Sequence, residues 1–337
     1  MHADDGYGDG GGQEYAMHVS SSEDIAKQIL DGFVVNKVYL PDYPVVYQTG
    51  GVRTIPKASE ELLYQINIVG NSCYFFTGHG NRNTLTHERT FTREMISQFN
   101  NADKLFFFAA FSCEVGRFDN LDGTLASEMV VLPTTGAIGS FAASRVSGAG
   151  TNSAIAERFT RNMLSKNKFE NNTIGQASLK TKRSNDNSSE NFMYILFGDP
   201  ALKLLHPELN VVPVEINGVI LADSDSNIVL KGMSVLNIKG KICFDGEDEV
   251  IDNLNGHISI SLTNPKIDAE VFDERNTQFR FVKNGETLNS TVAAVVNGEF
   301  EANLFIPGEI SFSSKNSILY FYANGTDETN TLQVNKT

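Results

Sequence analysis

The 337 residues suffice for about two domains, and a 41% hydrophobic content can bury a core in each. Acidic residues outnumber basic ones 41 to 27, a net charge of −14. That excludes a phosphate-backbone binder, whose affinity comes from Lys and Arg, so no nucleic acid is expected as a partner. No apolar stretch approaches the ~20 residues of a membrane span. Cys73, Cys113 and Cys243 are too few for a disulfide framework, and an odd count leaves a free thiol.

Met1 to Gly6 shows neither the charged nor the apolar region of a signal peptide. Asp4-Asp5-Gly6-Tyr7-Gly8-Asp9-Gly10 has the look of a loose calcium loop but lacks the closing carboxylate, and it reads as a solvated loop. Ser22 is placed as the cap of a helix through Ile25, Ile29 and Leu30, ended by Asp31-Gly32. Valine-rich Phe33 to Leu40 reads as a strand, and Ser59 opens a helix through Leu62, Leu63 and Ile66. An apolar strand follows and stops at Thr77-Gly78-His79-Gly80. After a helix around Thr92 to Gln98, a second such strand, Phe106 to Phe111, stops at Ser112-Cys113. A helix over Thr124–Leu132, a strand over Gly136–Ala143, and helices over Thr151–Leu164 and Thr173–Lys182 complete the alternation. Strands alternating with helices predict a mostly parallel, helix-covered sheet. Phe197-Gly198-Asp199-Pro200 reads as a structural turn.

Beyond a boundary at His206-Pro207 the pattern changes to short β-branched runs separated by turn dipeptides. The strands expected are 212–221, 234–242, 257–262, 292–296, 300–306 and 318–323, with hairpins at Asn217-Gly218 and Asn297-Gly298. The reading is an α/β domain over 1–207 and an antiparallel, immunoglobulin-like sandwich over 208–337.

The chemistry concentrates where the two apolar strands end. In open α/β sheets, sites gather beyond the carboxyl ends of the strands. If these strands are neighbours, His79 and Cys113 meet as a base and a thiol nucleophile. Their separation of 34 residues accommodates one crossover helix. Taken singly, Cys113 also reads as a small buried hydrophobe and His79 as a turn histidine. The polar, glycine-containing run Glu114 to Asp119 suits an exposed loop, which a reactive thiol needs. Cys73 and Cys243 read as core residues. His79 and His87 lie near acids, but their spacing matches no usual zinc pattern. Gly139 to Gly150, with Ser144 and Arg145, reads either as a cleft wall or as a plain strand-to-helix loop.

Four motifs in order, Thr77-Gly78-His79-Gly80, Ser112-Cys113-Glu114-Val115-Gly116-Arg117-Phe118-Asp119, Gly136-Ala137-Ile138 and Phe197-Gly198-Asp199-Pro200-Ala201-Leu202, resemble the gingipain-type cysteine peptidases. That resemblance implies a caspase-like fold, Cys113 as nucleophile and His79 as its proton carrier. It implies the backbone N–H groups of Gly80 and Cys113 as oxyanion donors and Asp4, after Ala3, as the acid orienting the histidine, with Asp5 the near alternative. Glu114, Ser144 and Arg145 are the expected substrate contacts, and no metal or cofactor is expected. His87-Glu88-Arg89, Gly116-Arg117-Phe118-Asp119 and the run Asn297-Gly298-Glu299-Phe300 to Ile306-Pro307-Gly308-Glu309-Ile310 look most like the sortase branch of that family, which serves the type IX secretion system. Such an enzyme removes C-terminal sorting domains from secreted cargo and joins the new C-terminus to lipopolysaccharide. It works at the outer-membrane surface of a Bacteroidetes-type bacterium, among other secretion components. Family members carry further sheet strands upstream of the segment matching Ala3-Asp4 and extend beyond the sandwich, so the sequence reads as a fragment with an exposed apolar sheet edge. The rival readings are an inactive binding or assembly protein that keeps the peptidase fold, and a calcium-dependent adhesin built on the sandwich.

Overall fold

The computed structural model describes residues 1–8, 16–29, 33–119, 121–164, 172–183, 189–204, 209–221, 228–244, 246–308 and 315–325. The helix stop at Asp31-Gly32, Asp9-Gly10, the boundary at His206-Pro207 and the pair Glu309-Ile310 lie outside them. Two compact units result. The first joins Met1–Leu30, Val35–Leu204 and Ala269–Phe281; the second joins Asp31–Val34, Leu205–Asp268 and Val282–Thr337.

The first unit runs β1 (His2–Ala3), α1 (Met17–Gln28), β2 (Val38–Tyr39), β3 (Val46–Tyr47), β4 (Arg53–Thr54), α2 (Pro56–Tyr64), β5 (Cys73–Thr77), β6 (Thr84–Leu85) and β7 (Phe91–Thr92). It continues with β8 (Phe106–Phe111), α3 (Leu125–Val131), β9 (Ala137–Ala143), α4 (Ala149–Met163), α5 (Ile174–Lys182) and β10 (Tyr194–Gly198). Its sheet has the order β10-β9-β8-β5-β1-β2, parallel except for β10. Every residue of β8 is buried, as a strand covered on both faces requires. On one face Phe76, Phe106, Phe108 and Ala110 pack against Leu62 of α2, Ile66 just after it, and Leu125 and Met129 of α3. On the other, Phe159 of α4 stacks on Phe141 at 4.3 Å and lies 5.9 Å from Phe107.

Local chemistry explains most boundaries. Thr124 and Thr173 cap α3 and α5 through reciprocal capping boxes. Pro56 opens α2 at its first turn, where a missing N–H costs nothing. Five expectations change, the first being that α2 opens at Pro56 and not at Ser59. Helix α1 begins at Met17, and Ser22 lies inside it, buried, with its hydroxyl 2.6 Å from the Thr77 Oγ1 rather than capping an end. The strand expected over Phe33–Leu40 shortens to Val38–Tyr39, and the Thr92–Gln98 helix is a 3₁₀ turn over Arg93–Gln98. Of the turn read at Phe197-Gly198-Asp199-Pro200, Phe197 and Gly198 instead end strand β10, whose antiparallel pairing to β9 is a tertiary choice, and the chain turns from Asp199, whose carbonyl accepts the Leu202 N–H.

The second unit carries β11 (Leu209–Ile216), β12 (Val219–Ile220), β13 (Ser234–Phe244) and β14 (Gly256–Thr263). A two-stranded arm follows, β15 (Ile267–Phe272) and β16 (Gln278–Lys283), then β17 (Thr287–Val296), β18 (Glu299–Ile306) and β19 (Ile318–Gly325). Apart from the arm these form one antiparallel sheet, β12-β11-β13-β18-β17-β14-β19. Both predicted hairpin turns have positive φ at their two central residues, 50° and 80° at Asn217-Gly218 and 50° and 74° at Asn297-Gly298. β17 and β18 pair only beside that second turn, then follow β14 and β13 respectively. Ile238, Leu304, Ile258, Ile260 and Phe321 share one core. The arm, Ala269–Phe281, belongs to the first unit: Phe279 and Phe281 pack with Ala3, Val19 and Tyr39. The alternation Phe279-x-Phe281 was its signal in the sequence, where no strand was expected between Leu262 and Val292.

Candidate active site

Strands β5 and β8 are parallel neighbours with Thr77 opposite Phe111. His79 and Cys113 therefore each stand two residues past the last pair, on strands about 4.8 Å apart. The loops that carry them touch. A Cβ on Gly80 would lie 2.7 Å from the Ser112 Oγ and 3.0 Å from a Val115 methyl, so glycine is needed for this approach. Both His79 and Cys113 are half-buried.

Backbone holds the cysteine side. The Cys113 thiol donates to the Ser147 carbonyl at 3.2 Å, and the Ser147 N–H approaches the Sγ at 3.5 Å. Glu114, with φ of 51°, turns the chain, its N–H donating to the Arg145 carbonyl, and the Gly116 N–H donates to Ala143. Sequence reasoning missed Ser147, which lies beyond β9, the strand that the structure sets beside β8. Of the expected substrate contacts, Glu114 pairs with Arg117 at 3.0 Å and Arg145 with Asp119 at 2.8 Å, all at the surface. Ser144 is buried, its hydroxyl donating to the Met193 carbonyl at 2.8 Å.

The histidine side is built from buried side chains. Asp4 follows β1, which pairs with β5, and its Oδ2 accepts the His79 backbone N–H at 2.9 Å. The other carboxylate oxygen accepts the Gly6 N–H. A Cβ on Gly78 would lie 2.4 Å from the Asp4 Cβ, so the glycine before the histidine makes room for this carboxylate. Burial, and next the charge of Asp5, push the Asp4 carboxyl up to about 6. Two more imidazoles flank His79: His18 of α1 and His87 each have ring centroids 5.1 Å from it. Nothing in the sequence marked His18, because a lone histidine on a helix carries no motif.

Asp5 turns away from the histidine. Its Oδ2 pairs with Arg53 at 2.6 Å, and Arg53 also binds Glu88. All three are buried. Burial, then the charges of Asp4 and Asp5, raise the Glu88 carboxyl to about 7, and its Oε2 has no hydrogen-bond partner among the described residues. Two overlapping sets among the described residues bring cation-ligating atoms within 4.8 Å of one another, Asp4-His18-His79 and Asp4-Asp5-Glu88. In both, the Asp4 oxygens already accept backbone N–H groups, and in the second Arg53 supplies the balancing charge.

The arrangement is that of a thiol and an imidazole at adjacent strand ends, with a buried acid behind the imidazole. No curated protein matches the chain. Among solved structures, dimeric latent PorU from Porphyromonas gingivalis matches at 21% identity and a TM-score of 0.32, over 39% of this chain and 12% of its own. The Arg-specific cysteine proteinase gingipain R (RGPB) matches at 17% identity and a TM-score of 0.45, over 95% of this chain and 62% of its own. The complex of Porphyromonas gingivalis RgpB pro- and mature domains matches at 16% identity and a TM-score of 0.44, over 90% and 66%. The chain thus spans 12% to 66% of the length of these structures. The sequence pattern of peptidase family C25 matches residues 1–205, more than half of the chain, which therefore belongs to that family of cysteine peptidases.

Proposed function

We propose that this chain carries the catalytic centre of a cysteine endopeptidase acting as a sortase, which cleaves C-terminal sorting domains from proteins secreted by the type IX system and passes the acyl group to a lipopolysaccharide amine. The observation that carries the peptidase reading is the in-register pairing of β5 and β8, with His79 and Cys113 at equivalent positions past their ends. In this reading the Cys113 thiolate attacks the scissile carbonyl, forming a C–S bond. His79 takes the thiol proton and delivers it to the leaving amine as the C–N bond breaks. Asp4 holds His79 through its backbone N–H. The N–H groups of Gly80 and Cys113 face the tetrahedral oxyanion, about 3–4 kcal/mol per well-placed donor. Water or an amine then displaces the thiolate. Glu114 and Arg145 meet substrate at the rim, and Ser144 shapes that rim from beneath. The sortase reading rests on the motif resemblance, and it places the enzyme at the outer-membrane surface with cargo and other secretion components as partners.

Iodoacetamide alkylation of Cys113 across pH tests the centre. The expected result is fast reaction well below the ordinary thiol pKa of ~8.5, lost in His79→Ala; equal, slow profiles in both proteins would refute it. Mass spectrometry of a cargo peptide cleaved in the presence of an amine then separates the outcomes. An amide product supports transfer, and a free acid alone reduces the activity to proteolysis.

A further inference from the structure

We infer that Arg275, at the tip of the arm formed by β15 and β16, is a positioning residue for the catalytic histidine. The inference rests on the reading of His79 and Cys113 as base and nucleophile. Arg275 lies about 270 residues from the segment it holds, and nothing in the sequence links the two.

The tip is built to present a guanidinium. The Asp273 carboxylate accepts the N–H groups of Arg275 at 2.9 Å and Thr277 at 2.8 Å, and its second oxygen takes the Arg275 Nε at 2.6 Å. Although burial opposes it, these N–H groups and the guanidinium keep the Asp273 carboxyl below its ordinary range. Asn276 supplies the left-handed residue, φ 62°, that closes the turn. Phe279 and Phe281 seat the arm against Ala3, Val19 and Tyr39, beside the strand that leads to Asp4.

The guanidinium then reaches the Asp4 segment. Its Nη2 donates to the Asp5 carbonyl at 2.8 Å and its Nη1 to the Gly6 carbonyl at 3.1 Å. The Tyr7 ring lies 5.3 Å from it and 4.2 Å from the Arg53 guanidinium. The neighbouring Glu274 accepts from Arg53 and from the Tyr47 hydroxyl, and Arg53 in turn grips Asp5. Residues 4 to 7 make a pair of tight turns, the Asp4 carboxylate accepting the Gly6 N–H and the Asp5 carboxylate the Tyr7 N–H. Fixing the carbonyls of residues 5 and 6 therefore fixes the Asp4 side chain, whose other oxygen holds the His79 N–H. Three contacts join the arm to the base: Arg275 to the 5–6 carbonyls, the turn to Asp4, and Asp4 to His79. A fork that binds two acceptors at once is what a guanidinium provides and an ammonium does not.

The experiment is the pH profile of Cys113 alkylation in the full chain. Arg275→Ala is expected to lower the rate below the ordinary thiol pKa by about tenfold to a hundredfold, the scale of a misplacement near 1 Å, and to move the midpoint of the profile upward. Arg275→Lys, which keeps charge but not the fork, is expected to recover part of the loss. Arg280→Ala, on the same arm but paired only with Glu270 in the described contacts, is expected to stay within about twofold of the parent. A folded Arg275→Ala protein with the parent midpoint and rate would overturn the inference. If Arg275→Ala does not fold, Arg275→Lys decides, and a parent-like profile in it overturns the inference equally. Failure of the underlying function reading looks different, because the parent itself would then match His79→Ala.

Discussion

The two halves of the site are held in different ways. The cysteine side uses backbone bonds between loops at neighbouring strand ends, Glu114 to Arg145, Gly116 to Ala143 and Cys113 to Ser147. Its charges, Glu114, Arg117, Asp119 and Arg145, pair with one another in water. The histidine side uses side chains gathered from distant places in the chain, with Asp5, Arg53 and Glu88 buried together beneath Asp4. Exposed pairs contribute about 0–1 kcal/mol, whereas breaking a buried pair by removing one partner costs about 3–5 kcal/mol. The lesson is that the base, not the nucleophile, is the brittle half.

Four experiments sharpen or break this contrast. Arg53→Ala leaves Asp5 and Glu88 buried without their counter-charge, and chemical denaturation is expected to show a loss of about 3–5 kcal/mol; a loss under 1 kcal/mol would erase the contrast. Gly78→Ala places a methyl against the Asp4 Cβ and the Phe76 ring. It is expected to lower Cys113 reactivity about tenfold to a hundredfold by displacing the acid behind the histidine, as iodoacetamide kinetics would show.

The third experiment follows protons. In the folded chain the carboxyls of Asp4 and Glu88 are raised to about 6 and about 7, against roughly 4 when unfolded. The folded state therefore binds more protons than the unfolded state between about pH 4 and pH 7, and this part of the stability declines as pH rises through that window. Thermal melts are expected to show that Glu88→Gln flattens the decline between pH 5 and pH 8 by about 2–4 °C; an unchanged slope would mean Glu88 does not hold a proton there. The smallest effect is expected from Arg145→Ala, which removes a surface ion pair with Asp119 and a hydrogen bond to the Ser144 carbonyl. Its Tm is expected to stay within a degree or two of the parent, consistent with an exposed pair. A larger drop would show that the cysteine side also depends on charge.

The motif residues were legible because each answers to a local rule. Gly78 and Gly80 flank a histidine at a strand end, and Ser112-Cys113 ends the next apolar run. Asp4 was legible only through the family resemblance, since two acids near the start of the sequence do not reveal which one faces a histidine. The sheet separates them: Asp4 accepts the His79 N–H and Asp5 turns to Arg53. His18, Ser147, Arg53 and Arg275 carried no decisive mark, because their partners lie between 34 and 270 residues away.

By itself, the sequence determined the elements whose signals are short-range: the buried strands β5 and β8, the helix starts at Thr124 and Thr173, and the Asn-Gly hairpins. Each depends on the residues themselves and a few neighbours, so periodicity and turn chemistry suffice. Tertiary structure alone decided that β1 lies beside β5, that β10 is a strand, that α1 starts at Met17, and that the arm joins the first unit. These are choices among long-range partners, settled by burial and by buried charges that must find one another, and no local pattern encodes the partner.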